Sequence, residues 1–463
     1  MNRQNRMTLP ISLADFAAQW RGQLESTAAA ATPPGTMAPT WSEAIFDCQA
    51  RSLFSLQFQH NPIYQRVCAS LGRTPATVHH WSDIPAIPTR AFREQEFTSL
   101  PETERTTVFY SSGTTGQQPS RHFHSQESLD LYEASLLSWF QTCFGSVPLP
   151  ALTGGDSERP ASQPASQPQP GAAKKRLILL TPPPALAPHS SLVHMFETLR
   201  RERGEAASGF TGQLDDEGAW ILDLTAVEKA LQQAETTGIP VLVMGTAFSF
   251  VHLTDALASR KTHYHLPEGS QALETGGYKS RSRSVPKAEL YQAIARHLGV
   301  KPPHIRCEYG MCELSSQAYA RPEVEISKLK SQSSNLKFAL APMVFHFPPW
   351  ARVRILSPET GRAVGEGETG LIQIFDLANV YSVLAIQTED LGVRRGGGFE
   401  LLGRAAAAET RGCSLMVAGA SERGWAHPQA ASDQHADVDH PRSWRAAFAL
   451  ISETKGARPH EFA

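Results

Sequence analysis

Four short segments of the 463-residue sequence combine residue types that phosphate and acyl chemistry need. The first is Ser111-Ser112-Gly113-Thr114-Thr115-Gly116. Its glycines let backbone N–H groups close on phosphate oxygens, and its hydroxyl side chains add donors. It is not a Walker loop, because no Gly-Lys-Ser/Thr follows and the two glycines stand three apart. A solvent-exposed Ser/Gly/Thr turn is the plain alternative. The second segment is Glu308-Tyr309-Gly310-Met311-Cys312-Glu313-Leu314. It closes a strand-like stretch with a ring able to stack on a base and a carboxylate able to reach Mg²⁺. The alternative there is a loop whose glutamate caps a helix beginning near Leu314. The third, Gln387-Thr388-Glu389-Asp390-Leu391-Gly392, places carboxylates in an expected turn. Paired carboxylate oxygens in such a turn can accept from two ribose hydroxyls. The fourth, Leu401-Leu402-Gly403-Arg404, precedes Arg411-Gly412-Cys413-Ser414-Leu415. A guanidinium beside a thiol favours the thiolate, the form that attacks acyl donors, although most single cysteines are buried and inert.

Stepping outward, regular elements must hold these segments in place. A strand over 107–110 runs straight into the first segment, a second short strand over 121–124 follows it, and a helix begins at about Ser125. That helix carries Leu129, Tyr132, Leu136, Leu137 and Phe140 at helical spacing. Residues 42–72 read as helices with Ile45, Leu53, Phe54, Phe58 and Tyr64 on their apolar faces. Residues 83–88 cannot be helical, since Pro85 and Pro88 each disfavour helix in the residue before them. Strands over 177–180, 241–244 and 305–308 alternate with helical patterns such as 286–298, which argues for an α/β domain with a largely parallel sheet. From about residue 350 the pattern turns to β, with strands over 353–356 and 371–375 and a turn at 358–361. Residues 148–175 are dominated by Pro, Ser, Gln, Gly and Ala. Such a stretch buries too little apolar surface to offset its ordering entropy and reads as a disordered insertion within a loop. The tail from about 418 lacks periodicity and reads as a poorly ordered extension.

The bulk properties narrow the class. With 41% hydrophobic and 19% charged residues, the composition is that of a soluble globular protein. The formal charge of −2 gives no general attraction to nucleic acid or anionic membrane. No apolar run of about 18 residues is present, so no membrane span is expected. The first 30 residues lack the continuous apolar core of a secretory signal. The six cysteines show neither metal-ligand nor disulfide spacing and fit reduced thiols in a cytoplasm.

The order of the four segments is that of the signature segments in the acyl-adenylate-forming superfamily of ligases and luciferases. The 111–116 loop resembles that superfamily's phosphate loop. Tyr309-Gly310-Met311-Cys312-Glu313 is similar to its Tyr-Gly-x-Thr-Glu motif, with Cys312 in place of Thr. Asp390 matches its ribose-binding aspartate, with Glu389 where Gly is usual, and Gly403-Arg404 resembles the hinge into the C-terminal domain. Within the superfamily the chain most resembles the long-chain acyl-protein synthetases of the bacterial luminescence fatty-acid reductase system. The matching text is Glu274-Thr275-Gly276-Gly277-Tyr278-Lys279, residues 308–319 and residues 411–415, together with Asp83-Ile84-Pro85, Ile87-Pro88 and Phe92.

This resemblance implies an adenylate-forming α/β fold with mixed sheets over 41–402. An extension would precede it (1–40), and a truncated lid bearing the acyl-acceptor segment (403–417) and a tail (418–463) would follow. It implies that ATP and Mg²⁺ activate a fatty acid, that the acyl group moves to Cys413, and that a partner acyl reductase receives it. Ser111, Ser112, Gly113, Thr114, Thr115 and Gly116 would hold the phosphates. Glu313 would ligate Mg²⁺, Tyr309, Gly310 and Met311 would line the adenine side, and Asp390 and Arg404 would fix the ribose. Catalysis would rest on Cys413, Glu313 and Thr114. Only about 60 residues follow Arg404, and Lys455 is the sole lysine among them. A lid lysine is therefore not expected, and Lys279, Arg281 or Arg283 are stand-ins by position alone. His194 and His252 read as core or surface histidines, with contact to the acid substrate as the other option. Two further readings remain: a ligase that passes another acid to coenzyme A or a carrier protein, and a non-catalytic adenylate-binding subunit of a reductase complex.

Overall fold

The computed structural model describes residues 12–29, 41–111, 118–144, 175–276, 285–320 and 342–405. Its centre is a six-stranded sheet in the order Ala318–Ala320, Ile305–Tyr309, Gln271–Thr275, Val241–Thr246, Arg176–Leu179, Gly209–Phe210. The neighbours are parallel except at the Ala318–Ala320 edge, which runs antiparallel, so the expected parallel sheet is mixed at one rim. Successive strand side chains point to opposite faces, and each face here meets its own helices. Leu177, Leu179, Leu242, Met244 and Leu273 pack with Tyr132, Leu136, Phe140, Phe196 and Leu199 from helices Gln126–Phe144 and Ser191–Arg203. Ile178, Val241, Val243, Ala272 and Ile305 turn the other way, toward helices Leu224–Thr237, Ala247–Ser259 and Lys287–Leu298. Unbroken apolar strands are what a sheet covered on both faces requires.

A second sheet is antiparallel, in the order Val344–Phe345, Gly398–Arg404, Ala385–Arg395, Thr369–Asp376, Ala351–Leu356. Ile87–Pro88 adds a short parallel strand to Ala385–Arg395, in keeping with the non-helical reading of that proline-rich stretch. Helices Glu43–His60 and Pro62–Ser70 are capped by Ser42 and Asn61, whose side chains accept from the N–H groups of Ile45 and Tyr64. Gln57 fixes the first helix to the second sheet. Its amide donates to the carbonyls of Asn379 and Val380 and accepts from the Leu384 N–H.

Several expectations change. Ile45, assigned to an apolar face, is 46% exposed. Residues 387–392 form no turn: Asp390 lies inside the long strand Ala385–Arg395, because its pairing with both neighbours continues past the polar residues. No helix starts at Leu314; the chain runs through turns to Ala318. The span 1–40 contains a helix, Leu13–Ala29, whose Phe16, Ala17, Trp20 and Leu24 are buried at three- and four-residue spacing. Arg21 on this helix pairs with Asp130 on helix Gln126–Phe144, which follows the hairpin of Thr107–Tyr110 and Arg121–His124. The expected insertion lies outside the described residues except at its last position. There the Lys175 ammonium donates to the Phe144 carbonyl (3.1 Å) and the Gln271 amide oxygen (3.0 Å). The tail and Cys413 also lie outside the described residues. Among the described residues, no helix is long and apolar enough to cross a membrane.

Candidate functional site

Ligands of open α/β sheets bind at the carboxyl ends of the parallel strands. Tyr309 is the last residue of Ile305–Tyr309 and stands at such an end. Its hydroxyl donates to Asp390 Oδ2 at 2.8 Å, joining the parallel sheet to the antiparallel one. The Tyr309 ring meets Phe399, Phe345 and Phe347 edge-on, with centroids 5.3, 6.0 and 6.3 Å away. Three phenylalanines therefore wall one side of the ring and fix its plane.

Asp390 and Arg404 are register partners in neighbouring antiparallel strands. Between them the register slips: Leu391 faces Gly403 and Gly392 faces Leu401, leaving Leu402 as the extra residue of a bulge. Gly403 takes a φ of +121°, a conformation that side-chain-bearing residues rarely adopt. A bulge bends its strand and re-aims the side chain that follows. Here that side chain is Arg404, whose Nε lies 3.8 Å from Asp390 Oδ1. The Arg404 side chain is 71% exposed, so solvent screens the pair and leaves the guanidinium free to turn toward a ligand. Burial raises the Asp390 pKa from its ordinary value, while the Tyr309 bond and the Arg404 charge oppose the rise.

The other carboxylate of the site, Glu313, is buried, with 3% of its surface exposed. The Ser120 hydroxyl donates to Oε1 at 2.5 Å and the Cys312 thiol donates to Oε2 at 3.2 Å. Ser120 lies just before strand Arg121–His124, on the far side of the 111–116 segment. Its N–H donates to Ser111 Oγ (2.9 Å) and its carbonyl accepts from the Ser111 N–H (3.1 Å), which pinches the stem of the loop. The backbone around Glu313 is held by Asn379, whose amide donates to the carbonyls of Glu313 and Val383. His122 Nδ1 donates to the Cys312 carbonyl, and since a carbonyl can only accept, the proton sits on Nδ1. Burial lowers the His122 pKa to about 4, keeping the ring neutral. Further along, Asp376 accepts from the Ser315 N–H and the Ser316 hydroxyl, and Trp350 Nε1 donates to Ser135 and Ser316. Burial raises the Asp376 carboxyl to about 6.

An acidic pair, Glu274 and Glu308, lies beneath the strand ends. Glu274 is fully buried, pairs with the Lys287 ammonium and accepts from the Tyr291 hydroxyl at 2.9 Å. Glu308, also buried, is raised to about 8, first by burial and then by the Glu274 charge. Its carboxylate lies under Gly310, where a methyl group would collide with it.

The structure brings Tyr309, Asp390 and Arg404 together and ties Glu313 to the loop stem at Ser111. Met311 is half-buried against the main core. Ser112, Gly113, Thr114, Thr115, Gly116, Lys279, Arg281, Arg283 and Cys413 lie outside the described residues. His194 Nε2 is 3.1 Å from Glu133 Oε1, and His252 is an exposed residue beside the Phe248 ring. The sequence pattern did not single out Ser120, His122, Asp376, Asn379 or the three phenylalanines. Only Phe345 and Phe347 left a usable signal, the period-two spacing of a strand face. Among the described residues, no group of three or more His, Cys, Asp or Glu side chains is placed to hold a metal ion. A single carboxylate nevertheless suits Mg²⁺, which takes one or two protein carboxylates and completes its shell with water and substrate phosphates.

The two sheets, joined at the strand ends, have the fold of solved adenylate-forming ligases. Solved structures agree. The chain matches an open conformation of 2-hydroxyisobutyryl-CoA ligase in complex with 2-HIB-AMP and CoA, with a TM-score of 0.53 and 13% identity over 82% of this chain and 75% of that one. It matches the postadenylation state of the same ligase with a TM-score of 0.52 and 13% identity, over 81% of this chain and 72% of that one. Within this class, residues 206–421 match the family model for Acyl-protein synthetase, LuxE, so the chain carries a LuxE-type segment over that stretch. A curated relative, the long-chain-fatty-acid–luciferin-component ligase of Aliivibrio fischeri, is 32% identical over 82 residues. That stretch is 16% of this chain and 22% of the relative's length.

Proposed function

We propose that the protein activates a long-chain fatty acid with ATP, forming an acyl-adenylate and pyrophosphate, and then passes the acyl group to a protein thiol for delivery to a partner acyl reductase. The family match and the ligase fold support activation by ATP. The observation that carries the reading is the Tyr309–Asp390–Arg404 grouping at the strand ends, with Glu313 reached from the stem of the loop.

In this reading each residue has one task. Asp390, with one oxygen already oriented by Tyr309, accepts from the ribose hydroxyls. The Tyr309 ring, backed by Phe399, packs on the adenine, with Gly310 and Met311 beside it. Arg404 swings from its exposed position onto the nucleotide. N–H groups of residues 111–116 and the hydroxyls of Thr114 and Thr115 hold the phosphates. Mg²⁺, where bound, offsets phosphate charge, and Glu313 is the residue that would hold it. The fatty-acid carboxylate oxygen attacks the α-phosphorus in line, its P–O bond forms, and the bond to pyrophosphate breaks. In the second half-reaction the Cys413 thiolate attacks the acyl carbon, the thioester forms and AMP leaves. The domain layout proposed with this function keeps 41–402 as the activating unit and 403–417 as a short lid bearing Cys413.

Fatty-acid-dependent exchange of labelled pyrophosphate into ATP tests the first half-reaction. Exchange stimulated by tetradecanoate is the expected result. Exchange stimulated only by short or aryl acids, with coenzyme A as acceptor, would replace this reading with that of an acid–CoA ligase.

A further inference from the structure

A buried carboxylate must be aimed by its neighbours, since water does not surround it. Glu313 has two such neighbours of unequal strength. The Ser120 hydroxyl is 2.5 Å from Oε1, within the range of charge-assisted O–H···O⁻ bonds, whereas the Cys312 thiol is a weaker donor, 3.2 Å from Oε2. Ser120 is itself fixed. It is buried, its backbone is bonded in both directions to Ser111, and the next residue, Arg121, is paired with Tyr110 in the hairpin. The hydroxyl therefore sits where the hairpin puts it, and it is the hairpin's direct bond to the Glu313 carboxylate, beside His122, which bonds the neighbouring Cys312 carbonyl. No other described side chain forms a hydrogen bond linking this hairpin to the Glu313 carboxylate.

We infer that Ser120 is a positioning residue: it holds Glu313 in the orientation that receives the Mg²⁺ of MgATP, coupling the loop stem to the metal carboxylate. The inference rests on the adenylation reading and extends it to a residue outside the four signature segments. Cys312 serves the same carboxylate from the other side, with a thiol doing more weakly what a hydroxyl would do.

The test is calorimetric titration of the full chain with ATP, in Mg²⁺ and in EDTA, with no fatty acid present. The quantity read is the ratio of the two affinities. Ser120→Ala is expected to lower that ratio about tenfold, the scale of one hydrogen bond to a charged group, while leaving metal-free ATP binding within about twofold of wild type. Ser120→Thr, which keeps the hydroxyl, is expected to restore the ratio, and Ser120→Cys to fall between. The Cys variant reads the same quantity should the alanine variant not fold. An unchanged ratio in Ser120→Ala or Ser120→Cys would overturn the inference, as would equal losses in both media that Ser120→Thr does not repair. Wild-type protein that binds ATP in neither medium would instead overturn the adenylation reading on which the inference stands.

Discussion

At the scale of single residues, Asp390 has the most specific task, because it accepts from Tyr309 at the end of the parallel sheet and, in the proposed function, faces the ribose. Replacing it with Asn removes the charge that strengthens its hydrogen bonds, each worth about 1.5–3 kcal/mol when one partner is ionised. Asp390→Asn is therefore expected to raise the KM for ATP by about tenfold or more in the exchange assay, with the fatty-acid KM little changed. Tyr309→Phe removes only the orienting hydroxyl, worth about 1 kcal/mol, and is expected to raise the same KM about fivefold. Equal effects on both substrates would separate Asp390 from the nucleotide. Glu308 gives a stability prediction instead. Its folded carboxyl titrates at about 8, above the ordinary value of 4.5, so the folded chain keeps a proton that the unfolded chain has released. Its favourable contribution is complete below the ordinary value and is lost as pH rises toward about 8. The thermal midpoint of wild type is therefore expected to fall between about pH 5 and 8 more steeply than that of Glu308→Gln; parallel curves would contradict this. The site was partly legible at this scale. Tyr309, Glu313, Asp390 and Arg404 lie within contiguous signature segments. Ser120, Asn379 and Asp376 do not, and their roles arise from contacts 193, 66 and 61 residues distant in sequence, which no local pattern encodes.

At the scale of elements, the bulge at Leu402 is the device that turns Arg404 onto Asp390. Because Gly403 has a φ of +121°, Gly403→Ala is expected to strain or erase the bulge. The loss would show as a raised KM for ATP larger than the change in melting midpoint alone explains. A variant with wild-type kinetics would mean that Arg404 finds its place without the bulge. The phenylalanine wall is a packing element, so Phe399→Ala, at a fully buried position, is expected to cost about 3–5 kcal/mol in denaturant unfolding. Strands and helices over 107–144 and 286–309 could be read because their apolar periodicity is strong. The Asp390 segment reads as a turn because Gln, Thr, Glu and Asp are poor strand signals, and its long ladders on both sides override that preference. The Leu13–Ala29 helix carried a readable stripe of Leu13, Phe16, Ala17, Trp20 and Leu24, but its docking on Gln126–Phe144 is a long-range fact.

At the scale of the whole molecule, the alternation of strands and helices followed by an all-β stretch gave the mixed α/β architecture. What it did not give is how the antiparallel sheet sits against the strand ends. That placement depends on Tyr309 bonding to Asp390 and on the buried network of Asp376, Ser316 and Trp350. The placement is what brings Tyr309, Asp390 and Arg404, from separate sequence segments, together. The reading of this molecule as an acyl-activating protein ligase is tested most directly by incubating it with ATP, Mg²⁺ and radiolabelled tetradecanoate and separating the products on a denaturing gel with and without hydroxylamine. The account predicts pyrophosphate release and a hydroxylamine-labile label on the protein that Cys413→Ser abolishes. Neither label nor pyrophosphate, from folded protein that binds ATP, would contradict it.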